Sequence, residues 1–135
     1  MRVAFIHHLP LELYPPSTNA ITFFGGQPKI DVLVITSKND KGRADFVCDT
    51  ARIVRFPMSW RSKSSLQRLC LTVRWHWNAA KLLAEFQPDA IIYFEPHSAF
   101  TAFLYMRLHS RSVRLFVHHH EYYESRDYSA KGNRI

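Results

Sequence analysis

The chain has 135 residues, enough for about one domain around a single core. An apolar content of 47% and a charged content of 21% exclude a disordered chain, and no apolar run approaches the roughly 18 residues of a spanning helix. The net charge of +7 is uneven: Thr50 to Ala84 holds no acid but carries Arg52, Arg55, Arg61, Lys63, Arg68, Arg74 and Lys81, so it either forms a solvated basic face or attracts phosphates.

The amino terminus has one Arg and the short apolar run Val3–Ile6, then His7-His8, which is not the pattern of a signal peptide. That run predicts a parallel strand buried on both faces. Leu9 to Pro16 holds three prolines and reads as loop; Ser17 or Thr18 caps a short helix through Phe24, closed by Gly25-Gly26. Ile30–Thr36 is the second strand, Ser37–Arg43 a polar loop, and Ala51–Phe56 the third strand, stopped by Pro57. No helix is evident between those two strands. Cys48 and Cys70, without a secretory signal, read as reduced thiols of a cytoplasmic protein.

Ser64 or Ser65 caps the longest predicted helix, Leu66 to Phe86. Leu66, Cys70, Val73, Trp77, Ala80 and Ala84 form one apolar stripe, expected to face the core. Leu71, Trp75, Leu82 and Phe86 form a second stripe nearly opposite, leaving a narrow polar strip at Gln67, Arg74, Asn78, Lys81 and Glu85. Ala90–Phe94 is the fourth strand and leads into Glu95-Pro96-His97. His97 or Ser98 caps a third helix to about Leu108, with Phe100, Phe103, Leu104 and Leu108 expected inward; the amino terminus of that helix is also a place where an oxyanion binds. Val113–Val117 is the fifth strand, and Ser125–Ile135 is polar without helical periodicity.

Strands alternating with helices predict an α/β protein: a Rossmann-like, doubly wound parallel sheet of about five strands in the order 3-2-1-4-5. In such sheets the ligand crevice lies at the carboxyl ends of the strands, where the strand order reverses. Here that point lies between the first and fourth strands, so His7, His8, Glu95 and His97 are expected to flank it as substrate-binding residues.

The fifth strand ends in His118-His119-His120-Glu121-Tyr122-Tyr123. Alternation puts His118 and His120 on one face, which with Glu95 or Glu121 would suit zinc. No helical ligand spacing such as HExxH accompanies them, and no metal or other cofactor is expected. The aromatics Trp60, Trp75, Phe94, Tyr122, Tyr123 and Tyr128 are candidates for stacking a sugar or base, whereas Trp77 is expected in the core. A nucleic-acid partner has the charge in its favour but no reader motif, and none is expected. A dinucleotide site lacks its G-x-G-x-x-G, and a receiver domain lacks its acids after the first strand.

The opening Met-Arg-Val-Ala-Phe-Ile, the Pro-Pro-Ser-Thr-Asn loop, the Val-Leu-Val-Ile-Thr strand, Pro88-Asp89-Ala90-Ile91-Ile92 and Phe116-Val117-His118-His119-His120-Glu121-Tyr122 together resemble the amino-terminal domain of family 4 glycosyltransferases of the GT-B fold. The resemblance implies an incomplete half of that fold, residues 1–135 forming part of the acceptor-side domain and the donor-binding domain being absent. It implies retaining, metal-independent transfer from a nucleotide-diphospho-sugar to a glycan or lipid-linked acceptor. His120 would be the catalytic residue that reaches the donor sugar, with Glu121 and Tyr122 beside it. The basic stretch at Arg61, Lys63 and Arg68 would make peripheral contact with an anionic membrane. Similar enzymes carry a Gly-Gly loop after the first strand; here His8 to Pro16 holds no glycine. A fragment of this kind is expected to be inactive alone. The alternative is a stand-alone Rossmann- or flavodoxin-like binding module for a phosphorylated or anionic ligand.

Overall fold

A computed structural model describes residues 1–39, 42–58, 63–109 and 112–118. The elements are β1 (Arg2–His7), α1 (Pro15–Gly25), β2 (Asp31–Ser37), β3 (Ala51–Phe56), α2 (Ser65–Phe86), β4 (Ala90–Tyr93), α3 (Pro96–His109) and β5 (Arg114–Val117). All strands are parallel in the order β3-β2-β1-β4-β5, as the alternation of elements predicts. β1 lies at the centre: Val3 is paired with Val32 on one side and with Ala90 on the other.

Alternate residues of the central strands feed two cores. Ala4, Ile6, Leu33, Ile35 and Ile91 pack against Trp75, Ala79 and Leu83 of α2 and against Ala102 and Tyr105 of α3. Val3, Phe5, Val32 and Val34 pack on the other face with Leu11, Ile21 and Phe94. Both faces are covered, which explains why the strands read as unbroken apolar runs rather than alternating ones.

Four local expectations need correction. First, α1 starts earlier than a Ser17 or Thr18 cap allows. Pro15 and Pro16 occupy its first positions, where a missing N–H costs nothing, and Ser17 is buried inside the first turn. A short 3-10 turn at Leu11–Leu13 precedes it, in the segment expected to be loop. Second, Gly25 is the last residue of the helix, and Gly26 follows it in right-handed geometry, not as a left-handed cap. Gly25 packs closely: a Cβ there would lie 2.7 Å from Thr50 Oγ1, so the Thr50 side chain would have to turn away.

Third, α2 is turned about its axis. Ser64 caps it as expected, in a reciprocal box with Gln67. Its buried residues, however, are Trp75, His76, Ala79, Ala80 and Leu83. At 100° per residue these lie opposite the polar strip, between the two apolar stripes. The apolar arc is broad; its middle meets the sheet and one edge projects outward. Leu66 is therefore 70% exposed, Val73 59% and Trp77 52%, against the expectation that they are core. Fourth, α3 is inverted. Phe100, Phe103 and Leu108 point out, while Ser98, Thr101, Ala102 and Tyr105 are buried. Ser98, Thr101 and Ala102 make the inner face small over the first two turns, where α3 meets β1 and α2, and Tyr105 fills the core beyond them.

The segment before α1 is tied down by charge. Glu12 accepts from Arg55 Nη2 at 2.8 Å and from the Phe46 N–H at 2.9 Å. Burial pushes this carboxyl up, but Arg55 and the backbone donors outweigh it and hold Glu12 below its usual range. Arg55 thus serves the fold and is not free for an anionic partner.

Candidate functional site

His7 ends β1 and His8 follows it, Glu95 follows β4, and His97 sits in the first turn of α3. The topology places all four at the carboxyl edge where the strand order reverses, as expected. His7 and His8 are almost fully buried. His7 Nδ1 lies 2.8 Å from the carbonyl of Leu9, so Nδ1 is the donor there and Nε2 is left facing Glu95 Oε2 at 3.6 Å. Tyr14 and Phe94 close around the His7 ring edge to face, at 4.7 and 5.4 Å.

Glu95 is the chemical centre of the group. Its Oε1 accepts the Ser98 hydroxyl at 2.5 Å and the backbone N–H of His8 in a very short bond. Its Oε2 is buried with no hydrogen-bond partner among the described residues. Burial pushes the carboxyl from its ordinary value up to about 7, against the two donors, which act to lower it. Glu95 therefore exchanges a proton near neutrality, and Oε2 is the atom that would share it with His7 Nε2.

The imidazoles stack beside this carboxyl. The His8 ring lies 5.6 Å from that of His76 and 5.4 Å from that of His97, nearly parallel to both, with Trp75 edge-on at 4.7 Å. Burial pushes His8 down to about 4, and the neighbouring His76, His97 and His7 push the same way. His76 is also lowered, by burial and then by His97. Its Nδ1 is held at 2.7 Å by Thr101 Oγ1. The loop between β1 and the 3-10 turn is pinned from β2: Ser37 Oγ donates to the His8 carbonyl at 2.5 Å and Thr36 Oγ1 to that of Leu9 at 2.8 Å. The result is a wall of imidazoles, His8 and His76 held toward their neutral forms, beside one carboxyl of variable charge. Such a wall both donates to and accepts from hydroxyl groups.

Reading the sequence missed His76, Thr101 and Tyr14. The signal for His76 was a polar residue within the apolar arc of α2, but the arc was assigned to the wrong rotation. Ser98 does not cap α3; its hydroxyl goes to Glu95. His118 receives its place from β4, its N–H donating to the Tyr93 carbonyl at 2.9 Å, and its ring meets Phe94 at 5.2 Å. His120, Glu121, Tyr122, Tyr123, Tyr128, Trp60 and Arg61 lie outside the described residues. Among the described residues no group of three His, Cys, Asp or Glu side chains is placed to hold a metal ion. No helix among them is long and apolar enough to cross a membrane.

A family model described as a glycosyl transferase 4-like domain matches residues 27–134. No curated protein matches the chain by sequence. Among solved structures, the apo form of the lipopolysaccharide outer core galactosyltransferase WaaB is similar, with a TM-score of 0.59 and 18% identity over 89% of this chain. The chain spans only 33% of that protein's length. The carboxyl-terminal domain of PF1911 hydrogenase from Pyrococcus furiosus is similar at a TM-score of 0.56 and 12% identity, covering 87% of this chain and 90% of that domain. At such identities these likenesses show the fold alone, and two proteins of unlike names share it.

Proposed function

The chain belongs to the glycosyl transferase 4-like domain family, and from that premise we propose that it forms the acceptor side of a sugar-nucleotide-dependent glycosyltransferase. The observation that carries this reading is the group at the switch point of the sheet, where buried His7 and His8 meet half-buried Glu95 and exposed His97. In the reaction, the bond between the anomeric carbon and the phosphate oxygen breaks. A bond to an acceptor hydroxyl oxygen forms on the same face of the sugar, and the hydroxyl proton goes to the departing diphosphate. A second Rossmann-like domain holds the nucleotide, and the chain has no turnover without it.

Glu95, His97, His7 and His8 bind and orient the acceptor in this reading. A carboxyl that ionises near neutrality donates to a hydroxyl when protonated and accepts from it when charged. His120, with Glu121 and Tyr122 beside it, contacts the donor sugar as charge develops there. The protein acts in the cytoplasm. Lys63 and Arg68 make peripheral contact with anionic lipid, each exposed base contributing about 1 kcal/mol near such a surface.

The test is His120→Ala in the full-length protein. Turnover should fall far more than donor affinity, by about 2–4 kcal/mol of transition-state stabilisation. Near-normal turnover in a correctly folded variant would move that role to Glu95 or His97. Equal sedimentation with neutral and anionic vesicles would remove the membrane contact.

A further inference from the structure

Helices α2 and α3 pack side by side, and the apolar stripe of α2 that faces away from the sheet has a particular spacing. Leu66, Cys70, Val73, Trp77, Ala80 and Ala84 follow one another alternately by four and three residues. That is the spacing of a coiled-coil seam, and from Leu66 to Trp77 it is exposed. Between the stripe and Phe100 and Leu104 of α3 is a cavity of about 540 Å³, closed at one end by His76 and His97. A second cavity of about 210 Å³ continues past Trp77, where the small Ala80 and Ala84 meet Leu108. From Leu69 to Ala84 the groove is about 22 Å long at 1.5 Å per residue, or about four helical turns.

The charges beside this groove are nearly all of one sign. Arg74 and Lys81 are seven residues apart, each one position past a seam residue, so they form a row along the seam. Both are exposed, and Lys81 lines the second cavity, 5.7 Å from the Trp77 ring. Arg107 is exposed on α3, three residues beyond Leu104. α3 carries no acid, and α2 carries Glu85 alone, in its last turn. A second copy of the chain does not complement this row. Two α2 helices related by a two-fold axis set Gln67, Arg74 and Lys81 against the same row when antiparallel, and against Leu69, His76 and Leu83 when parallel. Neither arrangement gives Arg74 or Lys81 an acid.

We propose that the groove between α2 and α3 docks an amphipathic helix of a partner protein. That helix is about four turns long, with apolar residues at coiled-coil spacing and Asp or Glu on its flanks. Its apolar residues fill the two cavities, the largest of them over Ala80 and Ala84, where the floor of the groove is lowest. Its acids meet Arg74 and Lys81 on one side and Arg107 on the other. Docking of this kind goes beyond the transferase reading and does not depend on it.

Fluorescence anisotropy of a labelled synthetic peptide of about 16 residues tests this. The peptide carries Leu at the seam positions and Glu beside them. One control replaces every Glu by Lys, another every Leu by Ser, and all are kept below self-associating concentrations. The expected result is saturable binding of the Glu peptide, about tenfold weaker binding of the Lys peptide, and none of the Ser peptide. In the double variant Arg74→Glu with Lys81→Glu the preference should reverse, which an unfolded variant would not show. Phe100→Ser, on the opposite wall and 59% exposed, should weaken the Glu peptide about tenfold. Lys29→Glu, an equal change of charge at an exposed site before β2, should leave affinity unchanged. Four results would each overturn the proposal. They are equal affinity for the Glu and Lys peptides, an equal loss in Lys29→Glu, a protein dimer on this face that the Glu peptide fails to dissociate, and binding that appears only after residues 119–135 are removed, which would give the groove to the chain's own end.

Discussion

The two edges of the sheet meet solvent in opposite ways. At the amino edge, the Arg2 N–H donates to Asp89 Oδ2 at 2.7 Å, Arg2 Nη1 to the Phe86 carbonyl at 3.2 Å, and the terminal amine to the Lys29 carbonyl, all exposed. At the carboxyl edge, His7, His8 and Ser98 are buried, and Glu95 is held among them. Polar groups at the first edge keep most of their hydration and hold strand ends in place. Those at the second have lost it, and both Glu95 and His8 have moved toward their uncharged forms. Desolvating ionisable groups costs free energy that a domain needing only stability would avoid. The contrast separates the edge that anchors the sheet from the edge where ionisable groups are held out of water.

The largest effect expected from that contrast is in Glu95→Ala. The His8 N–H and the Ser98 hydroxyl lose their acceptor inside the protein, at about 1–3 kcal/mol for each buried donor left unsatisfied. Urea unfolding measures the loss. A loss no larger than that of an amino-edge variant would break the comparison.

Next is the dependence of stability on pH. The folded state holds the Glu95 proton up to about pH 7, whereas the unfolded chain releases it near the ordinary value of 4.5. The unfolded state then binds fewer protons, so this group makes stability fall as pH rises from 4.5 to about 7. His8 acts the other way. Its folded form stays neutral down to about pH 4, so it makes stability rise between 4 and its ordinary value of 6.5. The two slopes oppose each other across the shared window. His76, lowered by burial, adds to the His8 rise, so relative to the parent Glu95→Gln should tilt the profile toward a rise with pH and His8→Asn toward a fall, each changing the slope by no more than about 1.4 kcal/mol per pH unit for the one proton removed. Urea midpoints from pH 4 to 8 measure this; parallel profiles in both variants would refute the opposition.

A smaller change is expected in Ser98→Ala, which removes one donor from Glu95. Stability should fall by about 1 kcal/mol. The carboxyl should ionise at higher pH still, because the Ser98 hydroxyl acts to lower it. Carbon NMR of the labelled Glu95 carboxyl reads both the direction and the midpoint. The smallest effect belongs to the amino edge: Asp89→Ala, at an exposed site, should change unfolding stability by no more than about 0.5 kcal/mol.

Much of the frame was legible in the residues. The central strands β1, β2 and β4 are continuous apolar runs, and the shorter runs of half-buried β3 and exposed β5 flank them, so the five strands and their order followed from Val3–Ile6 and its four counterparts. The strand ends then named His7, His8, Glu95 and His97. The helices were harder. In α2 more than half the circumference is apolar, and periodicity locates such an arc without locating its centre. In α3 the larger side chains look like core by hydrophobicity, yet Ser98, Thr101 and Ala102 face inward because close approach there requires small groups. His76 and Thr101 were missed with those rotations. The protonation of Glu95 was out of reach for another reason: it depends on burial where the end of β1 meets the start of α3, which no local pattern encodes.

The placement of β1 also sets the order in which the molecule is made. Its pairing with β2 closes over about thirty residues, Val3 with Val32, but its pairing with β4 joins Val3 to Ala90. A growing chain assembles β1, α1, β2 and β3 while the fourth strand is still unsynthesised, and long-range parallel pairing is the slow step. Until β4 docks, His8 has neither Glu95 nor His97 beside it. The crevice at the carboxyl edge therefore forms only when β4 docks, and its appearance in a refolding experiment times that step.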